Sequence, residues 1–242
     1  MMQVCVFENA AQVGKAAATL IAAQLIEKPD SVLGLATGSS PVPCYKNLIE
    51  MNRQGVVDFS RMTSYNLDEY VGIPEDHVCS YHRFMNDELF DHVNVNKANT
   101  HVPSGLAEDL DAVAAAYDED IVKAGGIDLQ LLGIGRNGHI GFNEPGDKFI
   151  PGCHVVELTQ STIEANTRFF DSEADVPRKA ISLGISSIMN ARKVVLIATG
   201  ADKAEAVRLS VKGAVDPQVQ ASILRTHPNV IFLLDKAAAS QL

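Results

Sequence analysis

The segment Val32-Leu33-Gly34-Leu35-Ala36-Thr37-Gly38-Ser39-Ser40-Pro41 shows the pattern that decides the fold of this chain. It begins as a short apolar run, which is typical of a strand buried on both faces, and it ends in a small turn rich in hydroxyl groups. Pro41 can then occupy the first position of a helix. The segment therefore predicts a strand, a tight turn and a helix in direct succession.

The same succession of a short apolar run and a longer amphipathic segment recurs along the 242 residues. The predicted strands are Val4–Phe7, Val32–Ala36, Met62–Leu67, Leu129–Leu132, His154–Leu158, Val194–Thr199 and Val230–Leu234. The predicted helices are Ala10–Glu27, Pro41–Met51, Ser80–His92, Glu108–Lys123, Gln160–Phe169, Lys203–Lys212 and Pro217–Leu224. Because strands that alternate with helices form crossover connections, we expect an α/β fold: a Rossmann-like, open, mostly parallel sheet with helices on both faces, in a single domain over residues 1–242.

Composition and charge narrow the class of protein. Apolar residues make up 46% and charged residues 21%, which is typical of a soluble globular protein. The 30 acidic against 20 basic residues give a net charge of -10, which argues against binding to nucleic acid or to an anionic membrane. No apolar run is long enough to span a bilayer, and the N-terminus has no secretory pattern. We expect a cytoplasmic protein with four free thiols, at Cys5, Cys44, Cys79 and Cys153.

Two strand ends favour an anion site, since open α/β sheets bind ligands beyond the carboxyl ends of their strands. Backbone N–H groups and hydroxyls of the Thr37–Ser40 turn can hold an anion, although a plain helix cap fits this segment equally well. Lys203 follows another strand, in the first turn of a predicted helix where the macrodipole favours acids. A bound phosphate would account for that lysine, and a solvated surface side chain is the alternative.

Two further strand ends carry groups that can move protons. Asp68 and Glu69 follow an apolar strand, and adjacent strand residues point to opposite faces, so we expect one of the two in the cleft. A partly buried carboxylate there would have a raised pKa and suit a general base, with a helix cap or an ion pair as the alternative. The glycine-rich stretch that follows Leu132 brings His139, a group suited to proton transfer at neutral pH.

That glycine-rich stretch also satisfies G-x-G-x-x-G, through Gly133, Gly135 and Gly138. A dinucleotide site needs a helix to begin at the third glycine, whereas Gly141, Pro145 and Gly146 follow here, so we predict a long loop. The loop presents polar side chains to the cleft, namely Asn137, His139, Asn143 and Glu144. The nearby group of His77, Cys79 and His82 fits no zinc spacing, and we predict no metal site.

Four segments together resemble the glucosamine-6-phosphate deaminase family, and the resemblance extends over nearly the whole chain. The segments are Leu33-Gly34-Leu35-Ala36-Thr37-Gly38-Ser39-Ser40-Pro41, Asn66-Leu67-Asp68-Glu69-Tyr70-Val71-Gly72, the block from Gly133 to Pro145, and Asn166-Thr167-Arg168-Phe169-Phe170. The resemblance implies conversion of glucosamine 6-phosphate and water into fructose 6-phosphate and ammonia, without a metal or other cofactor. The expected partner is thus one small phosphorylated sugar.

The resemblance also implies a role for individual residues. Asp68 matches the base that carries a proton between C2 and C1, and His139 matches the residue that opens the pyranose ring. Glu144 matches the carboxylate that orients this histidine, and Asn137 stands where many members have aspartate. The residues that match the cradle for the 6-phosphate are Thr37, Gly38, Ser39, Ser40, Arg168 and Lys203.

Departures from longer family members predict simpler behaviour. The serines and the Arg-x-Lys pair of their allosteric site are replaced by Asp147-Lys148 and His154-Val155-Val156, and the sequence ends at Leu242. We therefore expect a non-allosteric enzyme that is a monomer or a small homo-oligomer. Two alternatives remain: a hydrolase similar to 6-phosphogluconolactonase, which needs no C2 base, and a sugar-phosphate-sensing regulatory domain, which normally follows a DNA-binding helix-turn-helix.

Overall fold

Ten strands and seven α-helices build the described part of the chain, residues 2–242, in this computed structural model. The strands are β1 (Met2–Phe7), β2 (Val32–Leu35), β3 (Thr63–Asn66), β4 (Asp68–Tyr70), β5 (Thr100–His101), β6 (Leu129–Leu132), β7 (His154–Glu157), β8 (Lys179–Ser182), β9 (Val194–Ala198) and β10 (Val230–Asp235). The helices are α1 (Ala10–Glu27), α2 (Val42–Arg53), α3 (Tyr81–Glu88), α4 (Leu110–Lys123), α5 (Gln160–Asn166), α6 (Ile185–Met189) and α7 (Ala204–Lys212).

Seven of these strands form one sheet in the order β1-β10-β9-β6-β2-β3-β5. Every neighbouring pair in this sheet is parallel, with Leu33 opposite Leu129 and Leu35 opposite Asn66 in the registers of β2. The mostly parallel sheet with helices on both faces confirms the predicted fold class.

The strand order reverses beside β2. After β2 the chain continues outward to β3 and β5, whereas β6 returns on the other side of β2 and the chain then runs on to β9 and β10. The loops that leave β2 and β6 therefore diverge at their carboxyl ends. Such a reversal leaves a crevice above the sheet, and this is the usual ligand position in open α/β folds.

Apolar side chains cover both faces of the sheet, because successive residues of a strand point to opposite sides. In β9, Val194 and Leu196 pack into a cluster with α4, α6 and α7, whereas Val195 and Ile197 pack into a second cluster with α1 and α2. Each of these four side chains is at most 1% exposed. Burial on both faces explains why the strand reads as a continuous apolar run.

Helix α1 shows how the sequence sets one of these contacts. The Asn9 side chain caps the helix by accepting a hydrogen bond from the Gln12 N–H, at 3.1 Å. Gly14 lies on the buried face, where a Cβ atom would stand 2.5 Å from the Cβ of Pro43 in α2. Glycine at this position therefore lets α1 and α2 approach closely while both cover the sheet.

A second, antiparallel sheet corrects one element of the prediction. The predicted strand His154–Leu158 is β7, but it pairs antiparallel with β8 and not within the parallel sheet, in the order β4-β8-β7. Its residues are only partly buried, so its apolar run does not reflect burial on two faces. Strand β1 also departs from that expectation, because it is a sheet edge with Val6 51% exposed.

Three predicted helices also differ from the structure. The helix predicted over Ser80–His92 ends at Glu88, and Phe90–His92 forms a separate 3-10 helix. The segment predicted as a helix over Pro217–Leu224 is a 3-10 helix at Gln220–Thr226, because Asp216 closes a turn with the N–H groups of Gln218 and Val219. The helix predicted over Gln160–Phe169 ends at Asn166 and continues as a 3-10 turn. Within residues 2–242, no helix is long and apolar enough to cross a membrane.

Candidate active site

A cavity of about 590 Å³ lies above the carboxyl ends of β2, β3, β6 and β9, at the reversal of strand order. Nine of the ten residues predicted for the site line this cavity: Thr37, Gly38, Ser39, Ser40, Asp68, Asn137, His139, Arg168 and Lys203. Glu144, the tenth, lies behind His139 and outside the lining. Segments far apart in sequence thus meet because parallel strands end at one edge of a sheet.

One end of the cavity is a turn that follows β2. Gly38 adopts a φ of +84°, a conformation that favours glycine, and it directs the chain from the strand into α2. Helix α2 begins at Val42 with Pro41 as its cap residue, one position later than predicted. The Arg168 Nη2 donates a hydrogen bond to the Ser39 Oγ at 3.2 Å, so a guanidinium lies beside the hydroxyls of this turn.

Lys203 completes a cationic cluster at the same end. Burial lowers the pKa of Lys203, and the charges of Arg136 and Arg168 lower it further, although Asp202 opposes the shift. Like charges gathered in a partly buried place repel one another unless an anion neutralises them. The cluster is therefore suited to hold a phosphate dianion against the N–H groups and hydroxyls of the turn after β2.

Arg136 is a member of this cluster that the sequence reasoning missed. Its Nε donates to the Asp202 Oδ2 at 2.9 Å, which joins the glycine-rich loop after β6 to the turn after β9. Both residues line the cavity. The two positions are 66 residues apart, and no local pattern in the sequence indicates their pairing.

The other end of the cavity contains a buried carboxyl group, that of Asp68. Leu67 joins the two sheets, because its N–H donates to Leu35 and its carbonyl accepts from Leu183, so that β4 begins at Asp68. Burial, and then the neighbouring carboxylate of Glu69, raise the pKa of Asp68 from 3.8 to about 8. A carboxyl group with such a pKa can both take up and return a proton near neutral pH.

Glu69 points away from the cavity, as the alternation of side chains along a strand predicts. Its carboxylate accepts hydrogen bonds from the backbone N–H groups of Tyr70, Tyr81 and His82, at 2.8 to 3.1 Å. It thus binds the first turn of α3, where backbone N–H groups have no partner within the helix. Only Asp68 of the two neighbouring carboxylates lines the cleft.

The glycine-rich loop presents His139 to the cavity, and no helix begins at Gly138, in agreement with the rejection of a dinucleotide site. Gly135 makes room for the histidine ring, because a Cβ atom there would lie 2.3 Å from the His139 Cε1. Gly141 has a φ of +58°, which favours glycine, and a Cβ atom there would lie 3.0 Å from the Ser182 Oγ. These glycines therefore leave space in the loop for neighbouring side chains.

Glu144 lies next to His139, with its Oε2 3.5 Å from the Nδ1 of the ring. Asn137 Nδ2 donates to the same carboxylate at 2.9 Å, and the Thr162 hydroxyl donates to its other oxygen. Burial alone would raise the pKa of Glu144, but the nearby His139 and the bonds from Thr162 and Asn137 leave it below its ordinary value. The carboxylate therefore stays ionised beside the histidine.

Asn137 has a definite place in this arrangement. Besides donating to Glu144, it accepts a hydrogen bond from the His139 backbone N–H at 3.2 Å through its Oδ1. An aspartate at this position would offer a second acceptor to Glu144, where the asparagine offers a donor. Asparagine thus fixes the loop and supports an ionised Glu144, and it needs no proton of its own.

Aromatic rings form one wall of the cavity. Tyr70 packs against Tyr81, Phe142 and Phe170 with ring centroids 4.9 to 5.6 Å apart. These rings come from four separate segments, so their association was not evident in the sequence. The rings add apolar surface to the cavity that contains Asp68, whose burial is the first cause of its raised pKa.

The side chains of His77, Cys79 and His82 each contact a different partner. The His77 Nδ1 accepts from the Cys79 N–H, the Cys79 Sγ donates to the Phe169 carbonyl, and His82 contacts Glu69. Over residues 2–242, no three or more histidine, cysteine or acidic side chains are placed to hold a metal ion. All four cysteines are free.

The fold and the site are those of an α/β enzyme, in which one cavity contains a cationic cluster suited to a phosphate, a buried carboxyl group and a histidine. The family model described as glucosamine-6-phosphate isomerases/6-phosphogluconolactonase matches residues 7–232. The chain belongs to this family.

Individual relatives place the chain on the deaminase side of the family. It is 52% identical over 241 residues to a glucosamine-6-phosphate deaminase of Halothermothrix orenii, with all of both chains covered. It is 51% identical to that of Clostridioides difficile, covering 100% of this chain and 97% of the relative. A solved structure of a monomeric glucosamine-6-phosphate deaminase superposes with a TM-score of 0.97 at 41% identity, over 100% of each chain.

The lactonase side of the family shares the fold at much lower identity. A 6-phosphogluconolactonase from Thermotoga maritima superposes with a TM-score of 0.76 at 20% identity, over 98% of this chain and 100% of the other. The predicted resemblance to the deaminase family is thereby confirmed.

Proposed function

We propose that this site converts glucosamine 6-phosphate and water into fructose 6-phosphate and ammonia. The observation that carries the proposal is the buried carboxyl group of Asp68, which shares one cavity with His139 and with a cationic cluster. Removal of a proton from carbon needs a base of raised pKa, whereas hydrolysis of a lactone moves no proton from carbon. The deaminase relatives act on this substrate by name, which agrees with the chemistry of the site.

Binding of the substrate begins at the cationic end. The 6-phosphate lies between the Thr37–Ser40 turn, Arg168 and Lys203, where burial, and then the charges of Arg136 and Arg168, lower the pKa of the lysine and a dianion stabilises its charged form. These contacts are remote from the reacting carbons. Their binding energy can therefore hold C1 and C2 of the sugar against Asp68 without taking part in the chemistry.

Ring opening is the role of His139. The imidazole accepts the proton of the O1 hydroxyl and returns it to the ring oxygen O5, as the C1–O5 bond breaks and C1 becomes an aldehyde. Glu144 stabilises the imidazolium that forms between the two transfers, since it is ionised and lies 3.5 Å from the ring. Asn137 and Thr162 keep this carboxylate in place.

Isomerisation is the role of Asp68. Its carboxylate removes the proton from C2, and the electron pair forms the C1–C2 double bond of an enolamine while the aldehyde oxygen takes up a proton from solvent, which is given back when water later adds to C2. Asp68 then delivers the proton to C1, and the nitrogen lone pair forms an iminium at C2. Water adds to C2 and ammonia leaves, which yields the ketone of fructose 6-phosphate.

Product analysis tests this proposal. Purified protein is incubated with glucosamine 6-phosphate, and ammonia and fructose 6-phosphate are measured separately. We expect both in equal amounts, and their absence across pH 6 to about 9 would contradict the proposal. Incubation with 6-phosphogluconolactone is the comparison, and faster turnover of the lactone would favour the hydrolase instead.

We also propose a setting for the enzyme. A net charge of -10 disfavours nucleic acid and anionic membranes, and the predicted compartment is the cytoplasm. One copy of the chain brings nine of the ten predicted site residues to one cavity, and a deaminase relative of solved structure is described as monomeric. A monomer is therefore the expected functional unit, with a small homo-oligomer as the alternative. Sedimentation of the active enzyme distinguishes the two.

A further inference from the structure

Asn166 is a polar residue of the cavity wall whose side chain has no partner within the described protein. It is the last residue of α5, and the 3-10 turn Thr167–Phe169 follows it directly. Asn166 lines the cavity and is partly exposed. Its side-chain amide makes no hydrogen bond within residues 2–242, although it stands at the cap position of the turn, where an asparagine often caps.

The local structure does not need an asparagine at this position. Helix α5 is capped at its start by Thr159, which accepts from the Thr162 N–H. The backbone of Asn166 is helical, with φ -91° and ψ -14°, and the Thr167 N–H bonds to the Ile163 carbonyl, so the helix passes smoothly into the turn. Asparagine is a poor helix former. A residue that weakens the helix and bonds to nothing in it points to a role in binding.

Asn166 lies between the two ends of the cavity. One helical turn before it, Thr162 donates to Glu144, which lies beside His139. Two residues after it, Arg168 belongs to the cationic cluster. Because side chains four residues apart share one face of a helix, Asn166 is on the same face as Thr162, about 6 Å further along the helix axis. Helix α5 thus leads from the ring-opening pair to the phosphate end, with Asn166 on the way.

The substrate of the proposed function presents two hydroxyl groups at this position. Its reacting carbons C1 and C2 lie at Asp68, and its phosphate on C6 lies at Arg168, so C3 and C4 lie between them. Neither hydroxyl group takes part in the reaction. An amide offers both a donor and an acceptor, which suits a pair of neighbouring hydroxyl groups.

We propose that Asn166 is a specificity-determining residue that binds the hydroxyl groups on C3 and C4 of the sugar. The inference rests on the proposed function, which sets the direction of the sugar in the cavity. Because the amide has no bond within the protein, binding the sugar breaks no internal contact. The hydrogen bonds therefore contribute to recognition of the substrate.

Analogues of glucosamine 6-phosphate that lack the 3-hydroxyl or the 4-hydroxyl group test this inference. For the wild type, kcat/KM should be about tenfold lower with at least one analogue than with glucosamine 6-phosphate, because a hydrogen bond is lost. Asn166→Ala and Asn166→Leu, the second similar in volume to asparagine, cannot make that bond. Each variant should lose about tenfold with glucosamine 6-phosphate and should then use that analogue within about twofold as well.

Asn190→Ala is the matched control, since Asn190 is an exposed asparagine at the end of α6 and outside the cavity lining. Its preference for glucosamine 6-phosphate over the analogues should equal that of the wild type. Inorganic phosphate, tested as a competitive inhibitor, should have the same inhibition constant for the wild type and for both Asn166 variants. This constant reports the state of the cationic cluster, which a displaced turn after α5 would disturb.

A merely structural role of Asn166 would lower kcat/KM for all three substrates alike and weaken inhibition by phosphate. Unchanged ratios between the substrates in either variant would therefore overturn the inference, and so would a wild type that does not distinguish them. Release of ammonia from glucosamine 6-phosphate by the wild type is measured first. Its absence would overturn the proposed function and with it this inference, whereas release of ammonia with unchanged ratios would overturn the inference alone.

Discussion

Replacing Asp68 with asparagine should make the protein more stable, by an amount that grows with pH. Burial and the charge of Glu69 raise the pKa of Asp68 from 3.8 to about 8. Between these two values the folded protein retains a proton that the unfolded chain has lost, so the wild type loses stability as pH rises. Asparagine does not titrate and escapes this loss.

The magnitude follows from the pKa shift. One pKa unit corresponds to about 1.4 kcal/mol, so ionisation of Asp68 in the unfolded chain costs the wild-type fold about 4 kcal/mol at pH 7. The cost reaches about 6 kcal/mol above pH 8 and vanishes below about pH 4. The buried amide of the variant adds its own penalty of about 1–3 kcal/mol, which does not depend on pH. The change with pH of the stability difference between variant and wild type, and not the size of that difference at one pH, therefore tests the raised pKa of Asp68.

Urea unfolding of both proteins at pH 5, 6, 7 and 8, at constant ionic strength, measures this slope. The free energy of unfolding of Asp68→Asn minus that of the wild type should rise by about 1.4 kcal/mol per pH unit. Asp58→Asn is the control, since the exposed Asp58 has a lowered pKa and its stabilisation is lost only in acid. The free energy of unfolding of Asp58→Asn minus that of the wild type should not change with pH over this range. A flat difference for Asp68→Asn as well would refute the raised pKa on which the proposed base depends.

Two further predictions concern the two ends of the cavity. Gly135→Ala places a methyl group 2.3 Å from the His139 ring and should lower kcat about a hundredfold or more. Gly146→Ala is the control: its Cβ would meet no atom closer than 3.8 Å, and kcat should not change. Equal effects of the two variants would contradict the placement of the ring. Arg136→Met should raise KM about three- to tenfold at unchanged kcat, because Asp202 then faces the phosphate unpaired, and Arg136→Met with Asp202→Asn should recover part of the loss. An unchanged KM would remove Arg136 from phosphate binding.

Local patterns in the sequence predict most of the parallel sheet. Strands such as β9 are buried on both faces and read as apolar runs, and the helix predicted over Ala10–Glu27 is α1. Strand β5 has only two residues, and β8 contains Lys179 and Ser182, so neither forms a recognisable run. The partner of β7 lies more than twenty residues away in sequence, and pairing over such a distance depends on tertiary packing that local patterns do not contain.

The sequence likewise predicts some residues of the candidate site and not others. Residues in the segments that follow the strands, such as Asp68 and His139, could be predicted from the sequence, because the carboxyl ends of parallel strands lie at one edge of the sheet. Residues that act through distant contacts were not. Thr162 reaches Glu144 from α5, and Arg136 reaches Asp202 across 66 residues. The contacts of Asn137 could not be predicted either, because its side chain donates to Glu144 and accepts from the His139 backbone N–H.

The fate of the hydrogen on C2 tests the central claim most directly. Glucosamine 6-phosphate labelled with deuterium at C2 is converted in ordinary water, and the products are examined by NMR. Proton transfer by Asp68 predicts ammonia and fructose 6-phosphate, with the deuterium at C1 or lost to solvent, and no reaction with Asp68→Asn. A hexose 6-phosphate that retains deuterium at C2 after losing its nitrogen would show direct displacement of the amine, and it would contradict the account.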